Sequence, residues 1–313
     1  MEPTFDIIRD LISFPDQHWG SVLAIGNFDG VHLGHRQIIE TLKSIATPDQ
    51  PKGILSFHPH PRAFFNPEHP PFCLTVLEDK IDLVKPLGAD FFAVQQFDNG
   101  FSSLSAEDFI EKVLVTQLGI KHVIIGQDFC FGKGRTGTVD MLKEAGTKSG
   151  FDVTVIDPVL DEHGHPYSST RIRQALRDGD PKQAATLMGH PWHVTGEVVC
   201  GARQGHRMGF ATANIDMQEY VRPLYGVYAV RVKVPATDAW LPGIANIGVR
   251  PTVGGHREWL EAHIFDFNET LYGQTIRIQF IDFIRAEMKF KNLDQLKTQI
   301  PDDIEKAKAI LAA

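Results

Sequence analysis

The sequence has few cysteines, no long apolar run and no excess of positive charge. The three cysteines, Cys73, Cys130 and Cys200, lie far apart with no CxxC pair, which disfavours a disulfide framework and a cysteine zinc cluster. No stretch approaches the roughly 18 apolar residues that predict a membrane span, and the N-terminus lacks the basic and apolar segments of a signal peptide. We therefore expect a soluble protein of the reducing cytoplasm.

The charge of the chain disfavours nucleic acids and acidic membranes as partners. The formal net charge is −8, whereas nucleic acids and acidic membranes attract clustered lysine and arginine. We expect neither partner, so any anion must be held by a local site. That site is not a P-loop, because the pattern GxxxxGK followed by Ser or Thr does not occur in the sequence.

Short apolar runs alternate with helical patterns in the first half of the chain. The runs predict buried strands at Val22–Ile25, Gly53–Phe57, Phe91–Gln95, Val123–Ile125 and Val153–Ile156. Helices are predicted near Gly34–Ile45, Glu78–Leu87, Ala106–Leu118 and Val139–Lys148. This alternation predicts an α/β domain, with a parallel sheet covered by helices on both faces.

The pattern of predicted elements changes near Gly189 from alternating strands and helices to successive strands. We place the boundary between two domains there, which gives domains 1–188 and 189–313. Two domains are expected because 313 residues exceed what one core usually organises. Strands are then predicted at Trp192–Val199, Gly226–Val234, Leu241–Gly248, Trp259–Phe267 and Thr275–Arg285. Their spacing predicts a small β-barrel. The tail from Leu293 to Ala313 predicts a helix that is interrupted at Pro301 and packs on the barrel.

The segment Asn27–His35 is a candidate phosphate site. It follows an apolar strand and precedes an amphipathic segment. The amides and the positive dipole end of such a helix favour phosphate, and Gly30 and Gly34 allow close approach of the backbone. His32 and His35, three residues apart, can both lie beside the first helical turn and stabilise charge on a transferring phosphoryl group.

Residues 26–35, Gly-Asn-Phe-Asp-Gly-Val-His-Leu-Gly-His, resemble the HxGH motif of adenylyltransferases, in the extended form found in bacterial bifunctional riboflavin kinase/FAD synthetases. Tyr167–Arg173 is similar to that family's second motif, SSTxIR. The resemblance implies a Rossmann-like nucleotidyltransferase domain with His32, His35 and Arg173 as catalytic residues. It assigns ATP and phosphate binding to Gly26, Asn27, Phe28, Asp29, Gly30, Gly34, Ser169 and Thr170. A simple helix N-cap is the alternative for the serines and threonine.

Two further segments, Ser56–Pro61 and Gly126–Arg135, resemble the family. Phe57 and Phe129 are expected to contact an isoalloxazine ring, and Asp128 to hydrogen-bond the flavin. The alternative is that both phenylalanines belong to the core. His58 and His60 suggest a metal site, but no third ligand lies nearby in the sequence.

Gly132–Gly137 spells GxGxxG, and Asp157 follows about twenty residues later, as in dinucleotide-binding proteins. The preceding predicted strand ends at Ile125, too early for the tight turn that this fingerprint requires. We therefore do not expect a nicotinamide site here.

The second half carries a separate group of polar residues. Gly201, Gly205 and Gly209 are expected to form a loop that covers phosphates. Thr212 and Asn214 alternate in an extended segment and offer two oxygens to Mg²⁺. Together they resemble the PTAN motif of riboflavin kinases. The chain departs from that motif at Ala211, where Pro is usual, and at His206, where Arg is common, and we expect a looser loop from the first change.

Glu261 and His263 lie on one face of a predicted strand. A carboxylate there can accept the proton of the riboflavin 5′-hydroxyl, and Glu261 matches the catalytic base of the family. Arg285 falls in the same match and is assigned to flavin binding. A solvent-facing glutamate is the alternative for Glu261.

The resemblance as a whole implies a bifunctional enzyme that uses ATP and Mg²⁺. It would phosphorylate riboflavin to FMN and then adenylylate FMN to FAD. Two alternatives stay open at this point: an adenylyltransferase for another phosphorylated compound, and a flavin-binding regulator without turnover. The oligomeric state is not set by the sequence.

Overall fold

The structure is a computed structural model that describes residues 5–199, 212–252, 255–288, 290 and 293–312. Contacts divide the chain into two compact units. The first comprises Met1–His69 and Leu77–Tyr167, and the second comprises Pro70–Val76 and Ser168–Ala313. The boundary near Gly189 stays a prediction, because the contacts group the helices that precede it with the second unit.

The first unit contains a parallel six-stranded sheet, as the sequence predicts. Its strands are β1 (Asp6–Ile8), β2 (Val22–Ile25), β3 (Lys52–His58), β4 (Phe91–Gln96), β5 (His122–Gly126) and β6 (Asp152–Ile156). Their order is β1-β4-β3-β2-β5-β6, and every pair is parallel. Only the short β1 was not predicted, because its three residues carry a single buried side chain.

Helices connect these strands; the two short ones at Pro61–Phe65 and Asn99–Ser102 were not predicted, whereas the others lie at predicted places. They are α1 (Leu33–Ile45), α2 (Pro61–Phe65), α3 (Leu77–Val84), α4 (Asn99–Ser102), α5 (Ala106–Asp108) and α6 (Val139–Ser149). The helix predicted over Ala106–Leu118 differs in type. After α5 it widens into π-helical turns over Phe109–Gln117, and the amide of Leu118 reaches the carbonyl of Val113. Buried side chains on both sides of the sheet form two apolar clusters.

The position of β2 in the sheet fixes the place of the candidate site. β2 pairs with β3 on one side and with β5 on the other, so the strand order reverses direction at β2. In open parallel sheets, ligands bind beyond the carboxyl ends of the strands at such a switch point. Asn27–His35 follows the carboxyl end of β2 directly.

The second unit contains an antiparallel sheet that curls into a nearly closed barrel, again as predicted. Its strands are β7 (His193–Glu197), β8 (Ala213–Asp216), β9 (Gly226–Lys233), β10 (Trp240–Thr252), β11 (Gly255–Ile264) and β12 (Thr275–Ala286). Their order is β7-β12-β9-β10-β11-β8. A bridge between Val199 and Asn214 links the two ends of this order.

Helices α7 (Ser169–Arg177), α8 (Pro181–Met188) and α9 (Leu293–Ala312) complete the second unit. The predicted interruption at Pro301 is wrong, because α9 continues through it. Proline removes one amide donor from a helix. The burial of Ala307 against Ala229 and Phe265 offsets that loss, since packing supplies most of a helix's stability.

The segment Pro70–Val76 is the unexpected member of the second unit. Cys73 forms a parallel bridge with Tyr220, and the indole nitrogen of Trp192 donates to the carbonyl of Leu74 at 2.9 Å. These contacts join residues more than a hundred positions apart, which no local pattern reveals. Among the residues described, no helix is long and apolar enough to cross a membrane.

Candidate functional sites

The turn after β2 has an unusual backbone. Phe28, Gly30 and Val31 have positive φ angles of 48°, 87° and 41°. Glycine adopts such angles readily, whereas phenylalanine and β-branched valine do so at a cost. Both side chains are fully buried, and this packing holds the turn in place. Strain of this kind concentrates at functional sites.

His32 caps the N-terminus of α1. Its Nδ1 accepts a hydrogen bond from the backbone amide of His35 at 3.3 Å. A nitrogen that accepts carries no proton, so the neutral ring bears its proton on Nε2. Nε2 is therefore the donor atom of the neutral ring. His32 is 6% exposed, so this donor is held in a fixed orientation.

His35 stacks on His32, with ring centroids 3.6 Å apart. Desolvation lowers the pKa of His35 well below its usual value, and the adjacent His32 and the positive charge of Lys80 lower it further. Two stacked imidazoles would repel each other if both were protonated. His35 is therefore neutral around pH 7, and it acts as a hydrogen-bonding group.

Several buried polar atoms around this turn have no partner among the residues that the structure describes. They are Oδ1 of Asn27, Nδ1 of His35 and Nε of Arg36. Buried polar groups are normally hydrogen-bonded, so a cluster of such atoms points to a ligand. A side chain at position 34 would contact the ring of His32 and the carbonyl of Tyr167, the first residue of the second motif segment, so glycine is required for this close packing. The turn, the helix N-terminus and this packing form one site of the kind that binds phosphate.

The second motif begins α7. Ser168 is its N-cap, accepting from the amide of Arg171, while Ser169 is partly exposed and Thr170 exposed. Arg173 is 7% exposed, its Nε donates to the carbonyl of Phe72 at 2.7 Å, and its guanidinium lies over the Phe72 ring. Arg173 therefore anchors the segment Pro70–Val76, a contact that the sequence did not predict.

The predicted flavin contacts follow the carboxyl ends of two strands in the first unit. Phe57 lies near the end of β3, and Phe129 in the turn after β5. Both rings are partly buried and pack against the same apolar cluster, so each has a core face and an accessible one. Asp128 is exposed beside Gly126. His60, considered as a metal ligand, caps α2 through its Nδ1.

The glycines of the GxGxxG pattern do not form a strand-to-helix turn. Phe131 and Gly137 pair with each other across the intervening turn, and α6 begins only at Val139. This geometry differs from the tight strand-to-helix turn of the dinucleotide fingerprint.

The second unit brings its predicted polar residues into one row across the sheet. Glu261 on β11 lies opposite Asn214 on β8 and opposite Asn246 on β10. Side chains directly opposite each other in antiparallel strands have Cβ atoms about 4.5–5.5 Å apart. Oε1 of Glu261 is shielded from solvent, and Nδ2 of Asn214 donates to the carbonyl of Thr212 at 3.4 Å. The row places a carboxylate beside oxygen donors that suit Mg²⁺. Gly201, Gly205 and Gly209, with His206 and Ala211, lie outside the described residues.

Arg285 forms an ion pair within the second unit. Its guanidinium contacts both carboxylate oxygens of Asp303 on α9 at 2.8–3.1 Å. Asp303 is 2% exposed and also accepts from Gln299. The pair joins α9 to β12, a structural contact that the sequence did not predict.

Asn246 lies opposite Glu261 and Lys80 acts on His35, and the sequence assigned neither residue to a site. Asn246 joins Glu261 only through the register of β10 and β11, which a sequence does not reveal. The sequence does indicate that Lys80 is unusual, because this lysine lies in the apolar stripe of α3 formed by Leu77, Ile81 and Val84. A lysine at such a position is rarely buried without a reason.

Comparison with known proteins identifies the family of both halves. The family model described as FAD synthetase matches residues 14–171, and that described as riboflavin kinase matches residues 188–311. The bifunctional riboflavin kinase/FMN adenylyltransferase of Escherichia coli K12 is 41% identical over 95% of this chain and 94% of its own. That of Bacillus subtilis is 37% identical over 92% and 91%.

A solved structure described as a macrolide-efflux protein from Streptococcus pneumoniae is similar along the whole chain. It has 30% identity and a TM-score of 0.83, and the match covers 97% of this chain and 98% of that one. The motifs, the two folds and the two bifunctional relatives all indicate the same family. The chain belongs to the family of bifunctional riboflavin kinase/FMN adenylyltransferases.

Proposed function

We propose that this chain phosphorylates riboflavin to FMN with one ATP and adenylylates FMN to FAD with a second, releasing pyrophosphate. One observation carries the proposal: the chain holds two unlike groups of polar residues that suit phosphate chemistry. The first has stacked imidazoles at a helix N-terminus, and the second has a carboxylate in a row of oxygen donors. The chemistry of the two nucleophiles explains the difference.

The kinase step begins with a neutral alcohol. The riboflavin 5′-hydroxyl must lose a proton as it attacks the γ-phosphorus of ATP, so a general base is useful. We assign that role to Glu261. Thr212 and Asn214 would hold Mg²⁺, which would neutralise charge on the phosphates of ATP, and the glycine loop over 201–209 would cover those phosphates. Arg285 would contact the flavin from the end of β12.

The adenylyl transfer step begins with an anion. The phosphate of FMN attacks the α-phosphorus of ATP, so no base is required and the difficulty is repulsion between two anions. Donors that are already oriented offset such repulsion. We assign His32 Nε2, His35, Arg173 and the amides that begin α1 and α7 to this role. Phe57, Asp128 and Phe129 would hold the flavin. Both reactions would occur in the cytoplasm, where free thiols such as Cys130 persist.

Turnover by the purified chain tests the proposal. Riboflavin, ATP and Mg²⁺ should give FMN first and FAD afterwards, with pyrophosphate equal to the FAD formed. An enzyme that adenylylates a pantetheine phosphate or nicotinamide mononucleotide but not FMN would contradict the proposed acceptor. A chain that binds flavin without consuming ATP would be a regulator instead.

A further inference from the structure

Lys80 is a buried cation that has no role in the two proposed reactions. It lies on α3 between Leu77 and Val84, on the face that carries Ile81, and is 5% exposed. Taking an ammonium out of water is costly unless hydrogen bonds or opposite charges compensate it. An apolar residue would therefore be the ordinary choice at this position, and the lysine requires an explanation from its surroundings.

The contacts of Lys80 lead to the turn after β2. Its Nζ donates to Oγ of Ser56 at 3.4 Å. Ser56 is fully buried in β3, and its Oγ donates in turn to the carbonyl of Asn27 at 3.2 Å. Asn27 opens the segment that carries His32 and His35. A hydrogen-bonded chain thus runs from the ammonium to the backbone of the phosphate site.

The positive charge of Lys80 also acts on His35 within that site. It contributes to the lowered pKa of His35, after desolvation and after the neighbouring His32. Among the described residues, the charged or titratable side chains that lower the pKa of His35 are His32, from the same turn, and Lys80, from α3. A fixed positive charge in a water-poor site interacts strongly with a bound polyphosphate.

We infer that Lys80 is a positioning residue of the adenylyl transfer site, which fixes the carbonyl of Asn27 through Ser56 and supplies a fixed positive charge beside the site of the ATP phosphates. The inference rests on the proposed function. It adds a cation from a third element of the first unit to the imidazoles and amides already assigned there.

Kinetics of FAD formation from supplied FMN and ATP test this role in the full chain. Lys80→Met keeps the length of the side chain but removes its charge, and we expect kcat/KM to fall about tenfold or more. Loss of the nearby charge raises the pKa of His35, so the acidic limb of the pH profile should move to higher pH. Lys80→Arg should recover most of the activity, and Ser56→Ala should give a smaller loss with little movement of the limb.

Two controls separate positioning from folding. FMN formation from riboflavin by the same chain should stay within about twofold of wild type in every variant, because that site lies in the other unit. Lys85→Met removes an exposed charge just after α3 and should leave FAD formation unchanged.

The inference is overturned if Lys80→Met keeps normal FAD formation, or if its loss comes without a shift of the pH limb and without recovery by arginine. A wild-type chain that makes no FAD from FMN would refute the proposed function instead, so the two failures are distinguishable.

Discussion

His32 caps α1 through its Nδ1, and we assign its imidazole a second role, which is to donate a hydrogen bond to a phosphate. The strained turn before it and the stacked ring of His35 fix its orientation. Both roles depend on a single rotamer. A substitution that removes the ring therefore acts on the helix and on the chemistry together, and the two effects have to be separated by the choice of variant.

His32→Ala and His32→Asn separate them. Both remove the imidazole, and we expect FAD formation to fall about a hundredfold or more while FMN accumulates from riboflavin. Asparagine is a good N-cap, whereas alanine is a poor one. Only His32→Ala should lose stability, by about 1 kcal/mol. Product chromatography and denaturant unfolding measure the two effects, and normal FAD formation by His32→Asn would contradict the assigned role.

Glu261→Gln tests the carboxylate of the second site. The substitution keeps the size and hydrogen-bonding capacity of the side chain but removes its basicity. We expect FMN formation from riboflavin to fall about a hundredfold, with conversion of supplied FMN to FAD unchanged. Glu269→Gln, at an exposed position between β11 and β12, is the matched control. Equal loss in both variants would show that the base lies elsewhere.

At the scale of elements, α9 depends on the ion pair between Asp303 and Arg285. Both side chains are largely buried, at 3% and 17% exposure. Removing one partner of such a pair leaves an uncompensated charge in the protein. The continuity of α9 through Pro301 makes this contact more important, because the proline weakens the helix in the same turn.

Asp303→Ala should therefore lower the free energy of unfolding by about 3 kcal/mol. The neighbouring Asp302 is exposed on the same helix, and Asp302→Ala should change stability by less than about 0.5 kcal/mol. Denaturant titration of both variants measures the difference. Similar values for the two would mean that the ion pair contributes nothing to the docking of α9.

How far the sequence predicts these elements depends on the range of the contacts that form them. Strands such as Val22–Ile25 were predicted to within a residue or two, because their apolar runs are local signals. β8 was read only as an extended segment, since its pairing with β11 brings together residues distant in the chain. The break at Pro301 was predicted wrongly, because packing against the barrel overrides a local preference. The histidine pair came from a local motif, whereas Asn246 and Lys80 reach their sites through register and packing.

At the scale of the whole molecule, the two units carry separate chemistry in one chain. The sequence predicts a change of fold near Gly189, but the placement of Pro70–Val76 and of α7 in the second unit depends on contacts between distant residues. The central claim is that the two reactions depend on different residues.

Product analysis of His32→Asn and Glu261→Gln, each supplied first with riboflavin and then with FMN, tests that claim most directly. We predict that His32→Asn makes FMN from riboflavin at the normal rate but FAD from either flavin about a hundredfold more slowly. Glu261→Gln should make FAD from FMN at the normal rate but FMN from riboflavin about a hundredfold more slowly. Loss of both reactions in a folded chain carrying either substitution would mean that the two chemistries share one site, which contradicts the claim.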